Sequence, residues 1–144
     1  MGEKLRVVLD TNIWVSITLD KTLARNFLPL IRRRKIDAHI SRALVTELAR
    51  VLTYPRIQTI LEEAGIEAAQ ALSNIARSAI LIRTRKTVGE IREDPSANRV
   101  LECALSAKAG LIVTGDNHLL KLREFEGIRI LAAREFLEMA ESRS

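Results

Sequence analysis

Short apolar runs alternate along the chain with longer segments in which apolar residues recur every three or four positions. A run such as LRVVL at residues 5–9 predicts a strand buried on both faces, whereas the longer spacing predicts helices with one apolar face. The predicted strands are residues 5–9, 36–40, 79–82, 111–114 and 128–131. The predicted helices are residues 11–19, 21–35, a segment capped by Ser41 that reaches Leu52, 55–64, 66–77, 95–108, 117–124 and a last one from about Arg134.

This order of elements predicts an α/β fold in which a parallel sheet of about five strands is covered by helices on both faces. The chain has 144 residues and no internal repeat or linker, so we expect residues 1–144 to form one domain. The apolar run at residues 5–9 is too short for a signal peptide or a membrane span. The single cysteine, Cys103, cannot form an intramolecular disulfide, and a cytoplasmic protein is expected.

Isolated acids follow the predicted strands. Asp10 follows the first strand in VVLDTN, and Asp116 follows the fourth in LIVTGDN. Asp94 lies between the third strand and its helix, and Glu47 lies about two turns into the helix after the second strand, on the shoulder of its apolar face. Because sites in parallel sheets form beyond the carboxyl ends of the strands, we expect these four acids to meet at one edge of the sheet.

Each acid also has a purely structural interpretation, since the three aspartates can cap helices and Glu47 can be a solvated helix residue. Gathered at one edge, however, carboxylates repel each other unless a cation lies between them. Neither histidine is expected to join them, because His39 lies within a strand and His118 within a helix. An oxygen-only set of ligands favours a hard cation, Mg²⁺ or Mn²⁺.

The net charge of +5 favours a polyanionic partner such as nucleic acid. One Trp, one Tyr and three Phe are too few for a base-stacking platform, so the nucleic-acid backbone should dominate any contact. The basic run RTRK (83–86) follows the third strand on the acidic edge, whereas RRRK (32–35) leads into the second strand at the opposite edge. RTRK is either an exposed loop or a phosphate contact. The candidate phosphate-binding residues are Arg83, Arg85, Lys86, Arg92 and Arg99.

Four stretches carry a family resemblance over nearly the whole chain. They are VVLDTN, SRALVTELARVL, EDPSANRVLECALSAKAGLIVTGDNHLL and IRILAAREFL. In these stretches the chain resembles PIN-domain ribonucleases of the VapC-like kind, which serve as the toxin in toxin–antitoxin pairs. The resemblance implies a three-layer α/β/α sandwich, cleavage of RNA, and four acids that bind one or two Mg²⁺ or Mn²⁺ ions.

The resemblance also implies roles for individual residues. Asp10, Glu47 and Asp116 correspond to metal ligands. The residues expected to orient these ligands by hydrogen bonds are Thr11, Asn12, Thr46, Asn98 and Thr114. A homodimer through the helices at residues 55–77 and an antitoxin protein are the implied partners, and no membrane is involved.

The chain departs from the family pattern at Ala97. The sequence reads DPSAN where DPxDN is expected, so a methyl group stands where the third catalytic carboxylate should be. Three interpretations remain open: Asp94 substitutes for it, Glu102 contributes from farther along the helix, or the site is impaired. An Asp at position 97 lies in the first turn of the helix, where negative charge is favourable, so we expect it to cost folding little.

Two other functions compete with this interpretation. A phosphotransferase with Asp10 as its nucleophile would need an acid at position 12, where Asn12 stands. The second rival is a PIN scaffold that binds RNA or a protein partner without cleavage, which Ala97 makes the more serious alternative.

Overall fold

The computed structural model describes the backbone of residues 4–143 and the side chains of residues 4–142. Helices and strands alternate as the hydrophobic pattern predicts. In chain order the elements are β1 (Leu5–Leu9), α1 (Thr11–Leu19), α2 (Lys21–Arg32), β2 (Ile36–Ser41), α3 (Arg42–Val51), α4 (Pro55–Ala64), α5 (Ala68–Ser78), β3 (Ile80–Ile82), α6 (Pro95–Ala107), β4 (Leu111–Val113), α7 (Asn117–Leu120), β5 (Glu124–Phe125), β6 (Ile128–Leu131) and α8 (Ala133–Arg143).

The strands form one sheet in the order β3-β2-β1-β4-β6-β5. All neighbouring pairs are parallel except β5 and β6, so the prediction of an α/β fold with a mostly parallel sheet is confirmed. The sheet has six strands in the described residues rather than about five. β1 pairs with β2 on one side and with β4 on the other, and the direction of winding changes between β1 and β4. A crevice beyond the strands at such a switch point is the usual position for a site.

The extra strand corrects the prediction of a helix over residues 117–124. Helix α7 ends at Leu120, and Glu124–Phe125 pairs antiparallel with β6 as one arm of a hairpin. The two residues between the arms, Glu126 and Gly127, have φ angles of 48° and 84°. Turns of two residues with positive φ match the twist of a hairpin, so Gly127 marks a turn rather than a helix end.

Helix α6 is the central element of the core, because it packs across β1, β2, β3 and β4. It begins at Pro95, whose missing N–H would have no partner in a first turn, and ends at Lys108 in the left-handed conformation. Most of its side chains are buried. They are Ala97, Asn98, Val100, Leu101, Glu102, Cys103, Ala104 and Ala107.

Other sequence expectations concern single residues. Ser41 caps α3, because its hydroxyl accepts from the Leu44 N–H at 3.2 Å, as predicted. Cys103 is fully buried, and burial raises the pKa of its thiol to about 12, so it is a neutral core residue. Between residues 4 and 143, no helix combines the length and apolar character that crossing a bilayer requires.

His39 is a buried polar residue of β2 with a consequence for stability. It is 8% exposed, and neither ring nitrogen has a hydrogen-bond partner within the described part of the chain. Burial lowers the pKa of His39, and the charge of Asp37 opposes that shift without overcoming it. The ring is therefore neutral in the folded protein near pH 7 and more reluctant than a solvated histidine to take a proton.

His39→Leu is expected to raise the free energy of unfolding by about 1 kcal/mol at neutral pH, because it removes two unsatisfied ring nitrogens from a buried position. The folded-state pKa of His39 lies below its unfolded value of about 6.5. The stability that neutral His39 contributes is therefore fully present above about pH 6.5 and is lost as the pH falls through the folded-state pKa. The variant should therefore lose less stability in acid. Thermal unfolding between about pH 5 and 8 measures both effects, and an unchanged acid slope would contradict the assignment.

Candidate functional site

Asp10 is the most firmly held acid at the carboxyl end of the sheet. It directly follows β1, is 6% exposed and caps α1. Its Oδ1 accepts from the N–H of Thr11 at 2.7 Å and from its hydroxyl at 3.4 Å. Its Oδ2 accepts from Thr114 Oγ1 at 2.7 Å and from Asn12 Nδ2 at 3.3 Å. Burial raises the pKa of Asp10, although these hydrogen bonds oppose the shift.

The same side chains join the ends of β1 and β4. Thr114 Oγ1 donates to Asp10 and accepts from the N–H of Asp116 at 2.9 Å. Asn12 Oδ1 accepts from the N–H of Gly115 at 3.2 Å, across the switch point. Hydrogen bonds of this kind hold the loop after β4 against the loop after β1. They therefore set the position of Asp116 relative to Asp10.

The carboxyl groups of Asp116 and Asp94 lie close enough for each to shift the pKa of the other. Asp116 caps α7 by accepting from the N–H of His118 at 2.8 Å. Burial, followed by a hydrogen bond with Asp94, raises the pKa of Asp116, and the same hydrogen bond lowers the pKa of Asp94. Two carboxylates this close to each other repel when both are charged, and a cation beside them relieves that repulsion.

Glu47 reaches the same cluster from α3. It is half-buried, and burial, followed by the charge of Asp10, raises its pKa, to which Asp94 also contributes. Glu47 therefore faces the other acids rather than bulk solvent on the far side of its helix. The four acids form a single electrostatically connected group.

His118 is the site residue that the sequence did not predict, and the expectation of a group without histidine was wrong. Its Nδ1 lies 3.3 Å from Asp116 Oδ1 and 3.6 Å from Asp94 Oδ2. One signal was available in the sequence: His118 falls in the first turn after a strand-end acid that caps the same turn. Nothing in the helical pattern, however, indicated that the ring lies beside Asp94.

Asp94 and Glu102 are the two acids that could replace the carboxylate missing at Ala97. Asp94 lies at the mouth of α6 beside Asp116, and its Oδ1 accepts from Ser96 Oγ at 2.8 Å rather than capping the helix. Glu102 is used elsewhere, because its Oε2 accepts from the Val88 N–H at 2.8 Å. Of the two substitutes, only Asp94 contacts the cluster. Ala97 itself is 2% exposed, which changes the expected cost of an acid there.

Polar side chains of α6 hold the loop formed by residues 83–94. Asn98 makes two hydrogen bonds with the backbone of Ile91, at 2.7 and 2.9 Å, so its amide orients this loop rather than an acid. Arg99 pairs with Glu102 at 2.7 Å and donates to the Val88 carbonyl at 3.3 Å. The polar face of α6 thus fixes the path of the chain between β3 and the acids.

The remaining candidates are exposed. Thr46 lies on the open side of α3 without a hydrogen bond to any of the four acids in the described residues. The basic residues of the 83–94 loop also have exposed side chains, whereas Arg99, which lies on α6, is partly buried. The exposed basic residues are Arg83, Arg85, Lys86 and Arg92.

The donors of this site suit a divalent cation. In the part of the chain that the structure describes, no Lys or Arg lies within 4.0 Å of the carboxylates of the four acids, although the charge of Arg50 acts on Glu47 from the same helix. The ligand atoms of Asp94, Asp116 and His118 lie within 4.8 Å of one another. A cation among these groups would offset the burial and, after it, the mutual repulsion that raise the pKa values of Asp10 and Asp116.

Comparisons with known proteins agree with this fold. A crystal structure of VapBC2 from Rickettsia felis, bound to a DNA fragment from its promoter, contains a similar chain with a TM-score of 0.60. The two chains are 15% identical, and the match covers 88% of this chain and 97% of the other. No curated protein sequence matches significantly. A family model of the PIN domain matches residues 6–118, and this chain therefore belongs to the PIN domain family.

Proposed function

We propose that the chain is a Mg²⁺- or Mn²⁺-dependent endoribonuclease that acts as the toxin of a toxin–antitoxin pair. The observation that carries the proposal is the gathering of four acids at the switch point of a PIN fold, without a Lys or Arg within ion-pair distance in the described residues. A chain of net charge +5 that keeps one acidic pocket suits metal-assisted hydrolysis of a polyanion.

Asp10, Glu47 and Asp116 would hold the cation, with Asp94 in place of the carboxylate missing at Ala97. A bound divalent cation supplies charge neutralisation at the scissile phosphate and a more acidic water. The raised pKa of Asp10 supports this assignment, because a buried carboxylate without a cation carries an unrelieved charge.

The side chains around the acids have separate tasks. Thr11, Asn12 and Thr114 orient the Asp10 carboxylate through their hydrogen bonds. Glu47 has a raised pKa, so an oxygen of its carboxylate that is not bound to the cation is suited to accept the proton of the attacking water. Both the orientation of the Asp10 carboxylate and the proton affinity of Glu47 are set by the folded protein before substrate binds.

RNA would lie along the loop of residues 83–94. Its exposed arginines and lysine follow β3 on the acidic edge of the sheet, and side chains of α6 hold its backbone in place. Contacts from these residues to phosphates position RNA without selecting its sequence. Arg99 supports this surface indirectly, because its guanidinium is engaged with Glu102.

Two protein partners follow from the toxin assignment. An antitoxin protein would bind the chain, and the similar Rickettsia felis chain comes from a VapBC2 complex. A second copy would pack against α4 and α5, a proposal supported by the exposed apolar side chains of Tyr54 and Ile60, which are 46% and 38% exposed. The alternative function, an RNA-binding scaffold without cleavage, is an outcome of the test below.

With Ala97 in place of the third carboxylate, the purified chain is expected to cleave single-stranded RNA slowly or not at all with Mn²⁺, and any cleavage should stop when a chelator is added. Changing Arg83, Arg85 and Lys86 together to Gln should weaken RNA binding about tenfold or more and flatten its salt dependence by at most about three units of slope. The reason is that fewer counterions are released when fewer cations contact phosphates. Filter binding over a salt series and a gel-based cleavage assay measure the two effects.

Arg32, Arg33 and Arg34 provide the matched control, because the same change to Gln removes equal charge from the opposite edge of the sheet. This control should bind RNA nearly as the wild type does. A reversed ranking of the two triple variants would contradict the assigned RNA surface. RNA binding without cleavage under any divalent cation would favour the scaffold function instead.

A further inference from the structure

The ring of His118 has the position of a metal ligand. Its Nδ1 lies 3.3 Å from Asp116 Oδ1 and 3.6 Å from Asp94 Oδ2. Around one cation with bonds of about 2.1–2.2 Å, adjacent ligand atoms are roughly 3 Å apart and opposite ones roughly 4.3 Å apart. Both separations from His118 fall between those limits, and the ligand atoms of all three residues lie within 4.8 Å of one another, so a cation fits among them with small side-chain adjustments.

Local structure holds the ring in this place. The N–H of His118 donates to Asp116 Oδ1 at 2.8 Å, which keeps the backbone of the histidine beside the carboxylate. The next residue, Leu119, is fully buried and anchors the turn in the core. The His118 side chain is 44% exposed, so a cation can reach Nδ1 from solvent without opening the protein.

The geometry points to His118 as a nitrogen ligand that, with Asp94 and Asp116, makes this a mixed nitrogen–oxygen site selecting Mn²⁺ over Mg²⁺. This inference rests on the proposed function and assigns that site its cation preference. Imidazole is a donor for first-row transition metals, whereas Mg²⁺ takes oxygen ligands and keeps its waters.

His118 can supply the donor atom that the site lacks at Ala97. With Ala97, the cation loses one oxygen donor and one negative charge. His118 restores the donor but not the charge, because a coordinating imidazole is neutral. A site with fewer charges holds a hard cation less tightly, and a nitrogen donor compensates best for a transition metal. Ala97 and His118 therefore both favour Mn²⁺ over Mg²⁺.

The experiment compares Mn²⁺ and Mg²⁺ binding by calorimetry in the wild-type chain and in His118→Ala. We expect the variant to bind Mn²⁺ about tenfold more weakly or worse, with a smaller change for Mg²⁺, so that the preference for Mn²⁺ falls. The visible spectrum of bound Co²⁺ gives a second measurement, because replacing a nitrogen ligand by water shifts its absorption. Asn117→Ala, an exposed neighbour in the same turn, is the matched control and should change neither.

Three results would overturn the inference. If His118 only neutralises the acids, His118→Ala will bind both cations more tightly. If the ring is a bystander, affinities and the Co²⁺ spectrum will remain unchanged while Asp116→Asn still weakens binding, which leaves the proposed metal site intact. If the wild type binds neither cation, the inference fails together with the proposed function.

Discussion

Asp10→Asn is expected to weaken Mn²⁺ binding by about 100-fold or more and to abolish RNA cleavage, without lowering the stability of the metal-free chain. Asp10 is the most buried of the four acids, and four donors orient its two oxygens. Changes that only touch a ligand's partners already cost metal sites roughly 10–100-fold, so losing the charge of a central ligand should cost at least the upper value.

The stability expectation follows from the pKa of Asp10. Burial raises this pKa above its unfolded value of about 3.9, so the unfolded chain ionises first. Stability contributed by the neutral carboxyl is therefore lost as the pH rises from about 4 through the folded pKa. An uncharged Asn avoids this loss near pH 7. A variant that binds metal poorly yet unfolds no earlier than the wild type would exclude misfolding as the cause.

Asp20→Asn is the matched control for this experiment. Asp20 also caps a helix, accepting from the N–H groups of Thr22 and Leu23, but it is exposed and lies away from the acids. Calorimetry with Mn²⁺ and thermal unfolding in chelator should show no change in affinity and a small loss of stability at most. Equal loss of metal affinity in both variants would contradict a specific role for Asp10.

Ala97→Asp is expected to tighten Mn²⁺ binding by about tenfold or more, raise cleavage, and destabilise the metal-free chain by about 1–3 kcal/mol. Ala97 is 2% exposed, so the new carboxylate has little access to water and joins acids that already repel each other. Metal binding relieves that repulsion, and the variant should regain stability when Mn²⁺ is added.

Ala97→Asn is the control for Ala97→Asp, because it has nearly the same size without the charge. It should be destabilised similarly and gain neither affinity nor cleavage. Adding Asp10→Asn to Ala97→Asp should remove the gain. If Ala97→Asp and the wild type bind Mn²⁺ alike, Asp94 already performs the task of the missing carboxylate.

The order of helices and strands could be predicted because it depends on local periodicity. The run that became β4 is continuous and apolar, the run that became β1 is interrupted only by Arg6, and α6 carries its apolar residues at helical spacing. β6 was predicted, but its hairpin partner β5 was not, because two residues are too few to show a period of two. The turn between them depends on positive φ at Glu126, which the residue type does not indicate.

Part of the site was also determined by the sequence. Acids that directly follow parallel strands must lie at the same edge of the sheet, because the strand direction and the chain connectivity leave them no alternative. This reasoning identified Asp10 and Asp116 as neighbours, whereas the family resemblance implied the roles of Thr11, Asn12 and Thr114 beside them. Each of these residues lies within three positions of a strand end, where the backbone path is fixed.

Only the tertiary structure decided what the side chains farther from the strands do. Asn98, Arg99 and Glu102 look like site residues in the sequence, yet they hold the loop of residues 83–94. His118 looks like an ordinary helix residue, yet its ring lies between two acids. Side chains on helices and loops take their direction from rotamers and from whichever segment packs against them. Long-range packing, not local sequence, therefore set the final composition of the site.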